Sequence, residues 1–253
     1  MKYKQILNIR LNSISSSELL QKMNSGILVT PNVDHIVKLQ YDREFYSVYK
    51  NADWIVCDSK ILYFGAKFLG ISLKEVIPGS SFFPKYLDYH KYNTSIRIFL
   101  LGAAPGVAEE AKKRINQRIG RSVIVGAHSP SYDFENNESE CKEIIKAINQ
   151  TDATVLVVGV GAPKQEKWIF KYKDKFSNIK LFMALGATID FEAGNVKRAP
   201  RIFQKIGMEW LYRLLKEPKR LWKRYLIDDI PFFYYILKCK LGLYKNPFSD
   251  LKQ

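Results

Sequence analysis

The sequence has no run of about 18 or more apolar residues, so no segment is expected to span a bilayer as a helix. Its three cysteines, Cys57, Cys141 and Cys239, are far apart and odd in number. That excludes a disulfide framework and fits free thiols in a reducing compartment. Its three histidines are scattered, and no His/Cys cluster has the spacing of metal ligands. No Asp-x-Asp pair stands ready to hold a divalent ion against a nucleotide diphosphate, and neither a P-loop nor a glycine-flanked serine elbow occurs. Chemistry without a metal or a cofactor is the expectation. The opening stretch MKYKQILNIRLNSISSSELL turns polar too soon for a secretory signal peptide. There is no internal repeat, no low-complexity tract and no nucleic-acid-reading motif, so nucleic acid is not an expected partner.

Negative charge is also in short supply. Forty Lys and Arg stand against 25 Asp and Glu, a formal net charge of +15. The imbalance is uneven: from Arg198 onward, 13 basic residues face 5 acidic ones, which puts +8 in the last 56 residues. Such asymmetry points to an anionic partner for the tail, although a lysine-rich composition that only keeps the chain soluble has the same sign.

What the chain does have is apolar material, 47% of 253 residues, enough for one large α/β domain with or without an appendage. Short apolar runs alternate with helical patterns, which predicts a parallel sheet with helices on both faces. GILVTPNVDHIV reads as a strand, a turn at Thr30–Asn32 and a helix through Gln40 and Tyr41. ADWIVCDSKILYFGAKFLG gives a strand to Cys57, Asp58 at its end, then a helix. Ile96–Leu101 is a strand that enters a glycine turn, with a helix from near Val107 that carries Glu109 and Glu110 in its first turn. SVIVGAHSP is a further strand, followed by a polar loop from Ser129 to Glu140 and a helix to about Gln150. ATVLVVGVGAPKQEKWIF repeats strand, glycine loop and helix. IKLFMALGATIDFEAG supplies a last strand, with Asp190 beyond it.

In open parallel sheets ligands sit beyond the carboxyl ends of the strands. Thr30, Asn32, Asp58, Gly102, Gly159, Gln165 and Asp190 all fall just past predicted strand ends. Gly102 and Gly106 fit either a phosphate cradle at a helix start or a tight turn without ligand. GVGAPKQE, with Gly159 and Gly161, begins like a dinucleotide fingerprint, but Lys164 stands where the third glycine belongs. Gln165 and Glu166 can bond a base or sugar edge, or cap the helix. Asp58, at the end of an apolar run, is placed to take a proton from a hydroxyl; helix N-capping is the plainer alternative. Thr30 and Asn32 flank Pro31 and can bond substrate hydroxyls or hold the loop. Asp228 and Asp229 lie in the tail, where solvent exposure is expected.

The tail opens with MEWLYRLLKEPKRLWKRYL, in which Trp210, Tyr212 and Trp222 are interleaved with Arg213, Lys216, Lys219, Arg220, Lys223 and Arg224. Eight apolar or aromatic residues follow from Ile230 to Leu237, a run suited to lying in a membrane interface; the alternative is that these rings pack on the core.

The blocks TPN, DSKILYFGAKFLG, PGS, LLGAAPGVAEEA, VGVGAPKQE, GATIDFEAGNVKRAP and EWLYRLLKEPKRLWKRY, in that order from about Gly26 to Leu226, closely resemble the bacterial WecG/TagA/CpsF glycosyltransferases. The resemblance implies a Rossmann-like, mostly parallel sheet flanked by helices (glycosyltransferase-E type) over residues 1–197, with a basic helical appendage over 198–253. It implies metal-independent transfer of a sugar from a UDP donor to an undecaprenyl-diphosphate-linked sugar. N-acetylmannosamine is the best match for the sugar moved, with its uronic acid or glucose as alternatives, and N-acetylglucosamine for the acceptor. The polymers implied are teichoic acid or surface polysaccharide. The chain would then be cytoplasmic and peripheral on the inner face of the cell membrane, held to anionic lipid by its tail, with homo-oligomerisation open to it. By the same resemblance Asp58 is the catalytic base, and Thr30 and Asn32 are pocket residues. Gln165 and Asp190 are further pocket positions, and Arg213 and Arg220 meet the lipid diphosphate. Three positions depart from the family pattern: VIPGSS places Val76 at a usual arginine and Ser81 at a usual aspartate, and Ser59 replaces the glycine after Asp58. A nicotinamide-dependent oxidoreductase and a non-catalytic membrane-peripheral assembly factor are the rival classes.

Overall fold

Successive residues of a strand face opposite ways, so a run buried at every position needs cover on both sides. Ile98–Gly102 (β5), Val155–Gly159 (β7) and Leu181–Ala184 (β8) are runs of this kind. The computed structural model describes residues 2–196, 199–200, 203 and 209–251, apart from the side chains at 209 and 220. In it these runs form the middle of a six-stranded, wholly parallel sheet with Gly26–Val29 (β3), Trp54–Ile55 (β4) and Ile124–His128 (β6). The strand order is β4-β3-β8-β7-β5-β6.

Alternation divides the core in two. Leu28, Leu100, Val157 and Met183 face α1 (Ser16–Lys22), α5 (Gly79–Tyr89), α6 (Val107–Ile119) and α9 (Thr188–Ala193). Their neighbours Ile27, Val29, Leu101, Val158 and Phe182 face α2 (Val33–Lys38), α3 (Arg43–Lys50), α4 (Lys60–Phe68), α7 (Glu138–Asn149) and α8 (Lys164–Tyr172). This is the expected Rossmann-like architecture. The chain leaves β3 for β4 on one side and β5 for β6 on the other, so the loops part above the middle of the sheet, where such folds bind ligands.

Several boundaries differ from the sequence expectation for local reasons. The helix after β3 stops at Lys38, because Asp42 accepts from the Phe45 N–H at 2.9 Å and starts α3. Strand β4 ends at Ile55, two residues short of Cys57: the Asp58 N–H still donates to the Pro31 carbonyl (2.9 Å), but proline has no N–H to return. Helix α7 starts at Glu138, capped by Asn137, and a short 3-10 turn carries buried Phe134 into the core. Asp190 lies within α9. The N-terminal hairpin, Tyr3–Ile6 (β1) with Ile9–Asn12 (β2), went unread in the sequence; it covers the sheet edge, where the Asn12 side chain accepts from the Ile55 N–H at 2.6 Å.

Among the described residues the basic tail holds three helices and a π-turn. Pro218, which cannot donate within a helix, separates Glu209–Lys216 (α10) from Pro218–Lys223 (α11). A π-turn over Arg224–Asp228 leads to Pro231–Lys240 (α12). The aromatic run of α12 divides by face. Phe232 and Ile236 are buried in the core cluster beneath α4, together with Phe248, whereas Phe233, Tyr234 and Leu237 are more than half exposed.

Candidate active site

Asp58 is placed by three backbone contacts. Its own N–H donates to Pro31, the Cys57 carbonyl accepts from Ile77 at 2.7 Å, and its Oδ1 accepts from the Gly79 N–H at 2.8 Å. The cap of α4 is Ser59, whose hydroxyl accepts from the Leu62 N–H, so Asp58 is not needed there. Asp58 instead satisfies the first amide of α5, which has no side-chain cap of its own. Gly79 permits this approach, since a Cβ there would stand 3.3 Å from Thr30 Oγ1 and 3.1 Å from Leu185 Cδ2.

Two cavities flank Asp58. The first, of about 630 Å³, lies over the carboxyl ends of β3, β7 and β8 and is lined by polar groups: Thr30, Asp34, Lys38, Gly161, Gln165 and the Gly186–Thr188 backbone among them. The second, of about 480 Å³, is chiefly apolar, walled by Val76, Ile77, Phe82, Trp210, Tyr225, Leu226 and Phe233, with Lys60 and Lys85 among its cations. Both are lined by Asn32, Asp58, Ser80, Phe191, Arg213 and Arg224, so the chambers meet at Asp58.

A charge network forms the wall between sheet and tail. Asn32 caps α2, its Oδ1 accepting from the His35 N–H and from Arg224 Nη2, both at 3.3 Å. Asp34 pairs with Lys38 at 2.8 Å and with Arg224 at 3.5 Å. Burial raises the Asp34 pKa, but Arg224 and Lys38 outweigh it and hold the carboxyl below its ordinary value, hence ionised. Burial pushes His35 down to about 3, which leaves it neutral, with Nδ1 2.6 Å from the Tyr49 hydroxyl. Arg213 reaches both cavities, and its Nε has no hydrogen-bond partner among the described residues.

Gln165, only 2% exposed, holds loops together. Its Oε1 accepts from the Gly161 N–H (3.3 Å) and the Gly186 N–H (3.1 Å), which joins the loops after β7 and β8. Its Nε2 donates to Glu166 Oε1 at 2.8 Å, so the carboxyl fixes which way the amide faces. Burial raises Glu166 to about 7.

Of the residues singled out in the sequence, the fold brings Thr30, Asn32, Asp58, Gly161, Gln165 and Arg213 together around these cavities. Gly102, Gly106, Gly159 and Asp190 line neither. Gly102 has φ +140°, and a Cβ on it would come within 2.5 Å of the Gly159 carbonyl oxygen, so the close approach of two strand ends accounts for the glycine. Asp190 is half-buried on α9, and its neighbour Phe191 reaches both chambers. The Arg220 side chain lies outside the described residues. Asp34, Lys38, Ser80 and Thr188 line the cavities without having stood out in the sequence, where only the i,i+4 pairing of Asp34 with Lys38 left a readable trace; Arg224 stood there as one of several tail cations. Asp229 runs against expectation: Asp228 is exposed, but Asp229 is buried against the second cavity. Among the described residues, no group of three or more His, Cys, Asp or Glu could hold a metal ion, and no helix is long and apolar enough to cross a membrane.

A sequence profile described as the glycosyl transferase WecG/TagA/CpsF family matches residues 4–246. Proteins of Staphylococcus aureus strains MRSA252, MW2 and NCTC 8325 are each 31% identical over 227 residues, covering 89% of this chain and 85% of their own length. All three carry the name N-acetylglucosaminyldiphosphoundecaprenol N-acetyl-beta-D-mannosaminyltransferase.

Proposed function

Because the chain belongs to the WecG/TagA/CpsF family and is a glycosyltransferase, we propose that it moves N-acetylmannosamine from a UDP donor to N-acetylglucosamine carried on undecaprenyl diphosphate, with inversion at the anomeric carbon. The relatives' names supply the sugar and the acceptor; the observation that carries the mechanism is the position of Asp58, where a polar and an apolar chamber meet. The polar chamber over the strand ends suits the nucleotide sugar, with the Gly161 and Gly186 loops held open to it by Gln165. The apolar chamber suits a lipid-linked acceptor. Asp58 takes the proton from the acceptor hydroxyl as that oxygen bonds to the anomeric carbon. The bond to UDP breaks on the opposite face, and the leaving diphosphate carries the electron pair away. Arg213 and Arg224, common to both chambers, offset its charge.

Val76, Ser81 and Ser59, the departures from the family pattern, all line the second chamber. They bear on how the acceptor is held, and Lys60 and Lys85 bring positive charge to the same wall. Lys74, the nearest cation in sequence to Val76, does not stand in for the arginine of the family pattern, since it pairs with Glu18 at 2.7 Å.

The reading is tested by UDP release from a panel of UDP-sugars with a short-chain lipid diphosphate-linked N-acetylglucosamine. Acceptor-dependent release from UDP-N-acetylmannosamine alone is the expected result. Release only from UDP-glucose or the uronic acid donor would move the assignment within the family, and release from none would leave a non-catalytic assembly factor as the better reading.

Peripheral binding to the membrane face belongs to the same proposal. Leu226 and Phe233 line the apolar chamber and are 52% and 59% exposed; Ile230, Leu237 and, on α4, Phe64 and Phe68 are likewise more than half exposed. With the basic tail beside them, each Lys or Arg near an anionic leaflet contributes about 1 kcal/mol. Binding to vesicles containing anionic lipid is expected to fall steeply between about 0.05 and 0.5 M salt, and Phe233→Glu with Leu237→Glu is expected to weaken it further. Co-sedimentation measures both, and equal binding to neutral and anionic vesicles would refute the electrostatic part.

A further inference from the structure

The tail places two carboxyls side by side and treats them differently. Asp228 is exposed, whereas Asp229 retains 8% of its surface. The backbone of Asp229 is committed: its N–H donates to the Arg224 carbonyl at 2.8 Å, and its carbonyl accepts from the Phe232 N–H at 3.1 Å. Its side chain is not so occupied, since Oδ1 has no hydrogen-bond partner among the described residues, although Asp229 lines the second chamber together with Asp58. Burial raises this carboxyl to about 7, with Arg224 opposing and Asp34 adding to the rise. A buried acceptor left without a partner works against stability, so its presence calls for a ligand or a role.

The chamber's chemistry narrows the ligand. A hydrocarbon chain gains nothing from a carboxyl, and a phosphate is repelled by one when it is ionised. A hydroxyl or amide N–H satisfies it directly. The same chamber also presents Phe191, Trp210, Tyr225 and Phe233. Aromatic faces together with a carboxyl suit a sugar ring, whose C–H face is apolar and whose rim is hydroxylated. The charges suited to phosphate, Lys60, Lys85, Arg213 and Arg224, share the chamber.

We propose that Asp229 is a substrate-contacting residue that accepts a hydrogen bond from a hydroxyl or amide N–H of the acceptor's terminal sugar and so orients that ring toward Asp58. The assignment rests on the glycosyltransferase reading above. It makes Asp229 a determinant of acceptor recognition, distinct from proton transfer and from the donor chamber.

The test compares the full-length protein with Asp229→Leu and Asp229→Ala, using the donor found in the panel and the short-chain acceptor. The acceptor KM is expected to rise about 10- to 100-fold, the range for a hydrogen bond to a charged group. The donor KM and the UDP affinity by calorimetry should stay within about twofold, and Tm should be unchanged or higher, because a buried carboxyl without a partner has been removed. That combination separates ligand contact from a structural role. Acceptor KM within about threefold of the wild type in a folded variant overturns the proposal. So does a parallel loss in donor and acceptor constants with a lowered Tm, or the failure of both variants to fold, since each makes Asp229 a structural residue. A wild type that transfers to no acceptor defeats the transferase reading itself, whereas an active wild type with indifferent variants defeats only the role of Asp229.

Discussion

Replacing Asp58 by asparagine is expected to lower kcat by roughly 10²–10⁴-fold, the usual loss on removing a general base. The substitution keeps size and shape, and the amide oxygen of asparagine can still accept from the Gly79 N–H that Asp58 Oδ1 now takes at 2.8 Å. The start of α5 should therefore stay where it is, and with it Gly79 beside Thr30. What is lost is the ability to receive a proton. At 1.36 kcal/mol per factor of ten the loss corresponds to about 3–5 kcal/mol of transition-state stabilisation. UDP release under saturating donor and acceptor measures it, with a thermal melt to establish that the variant is folded. A variant within about threefold of wild type would show that Asp58 is no base and serves only as a cap for α5.

Phe232→Ala should be the most destabilising single change in the tail. Phe232 is 1% exposed in the cluster beneath α4, and its ring lies so close to Gly65 that a Cβ there would stand 2.8 Å from Cζ. Truncating a fully buried phenylalanine costs about 3–5 kcal/mol, which is large against the 5–15 kcal/mol that holds a typical domain together. The effect should reach the site, because Pro231 and Phe233, on either side of Phe232, line the first and second cavities respectively. The expected result is a lower urea midpoint together with a raised acceptor KM. A change below about 1 kcal/mol would mean that α12 does not hold this packing in solution, and the apolar chamber would then lack the wall that Phe233 provides.

How much of this was legible in the sequence follows from the range of the forces involved. Periodicity and composition are local, and they fixed the order of strands and helices and the parallel sheet with both faces covered. Residues such as VLVVG, apolar at every position, admit little else. Asp58, Thr30 and Asn32 were readable as candidates that line the cavities because strand ends in such a sheet point at the ligand region, whatever the rest of the chain does. Short-range competition was less visible. The end of α2 at Lys38 and of β4 at Ile55 depend on Asp42 starting a new helix and on the N–H that Pro31 lacks.

Only the tertiary structure decided what the tail contributes. A stretch such as IDDIPFFYYIL carries no mark that tells which of its groups is turned inward. Its folding onto α4 buries Phe232 and leaves Phe233 exposed, and it buries Asp229 against the second cavity while Asp228 stays exposed at the first. Arg224 likewise reads as one of many basic residues until the chain returns across 192 positions to meet Asn32. The spacing at Gly102 fits a phosphate turn and a ligand-free tight turn alike; the Gly159 carbonyl, 57 residues later, is what requires the glycine. The sequence by itself determined the sheet, the strand-end carboxyl of Asp58 and the family, since these are written in neighbouring residues. The second chamber and its carboxyl exist only where distant segments meet, because burial and charge pairing depend on contacts that no local pattern records.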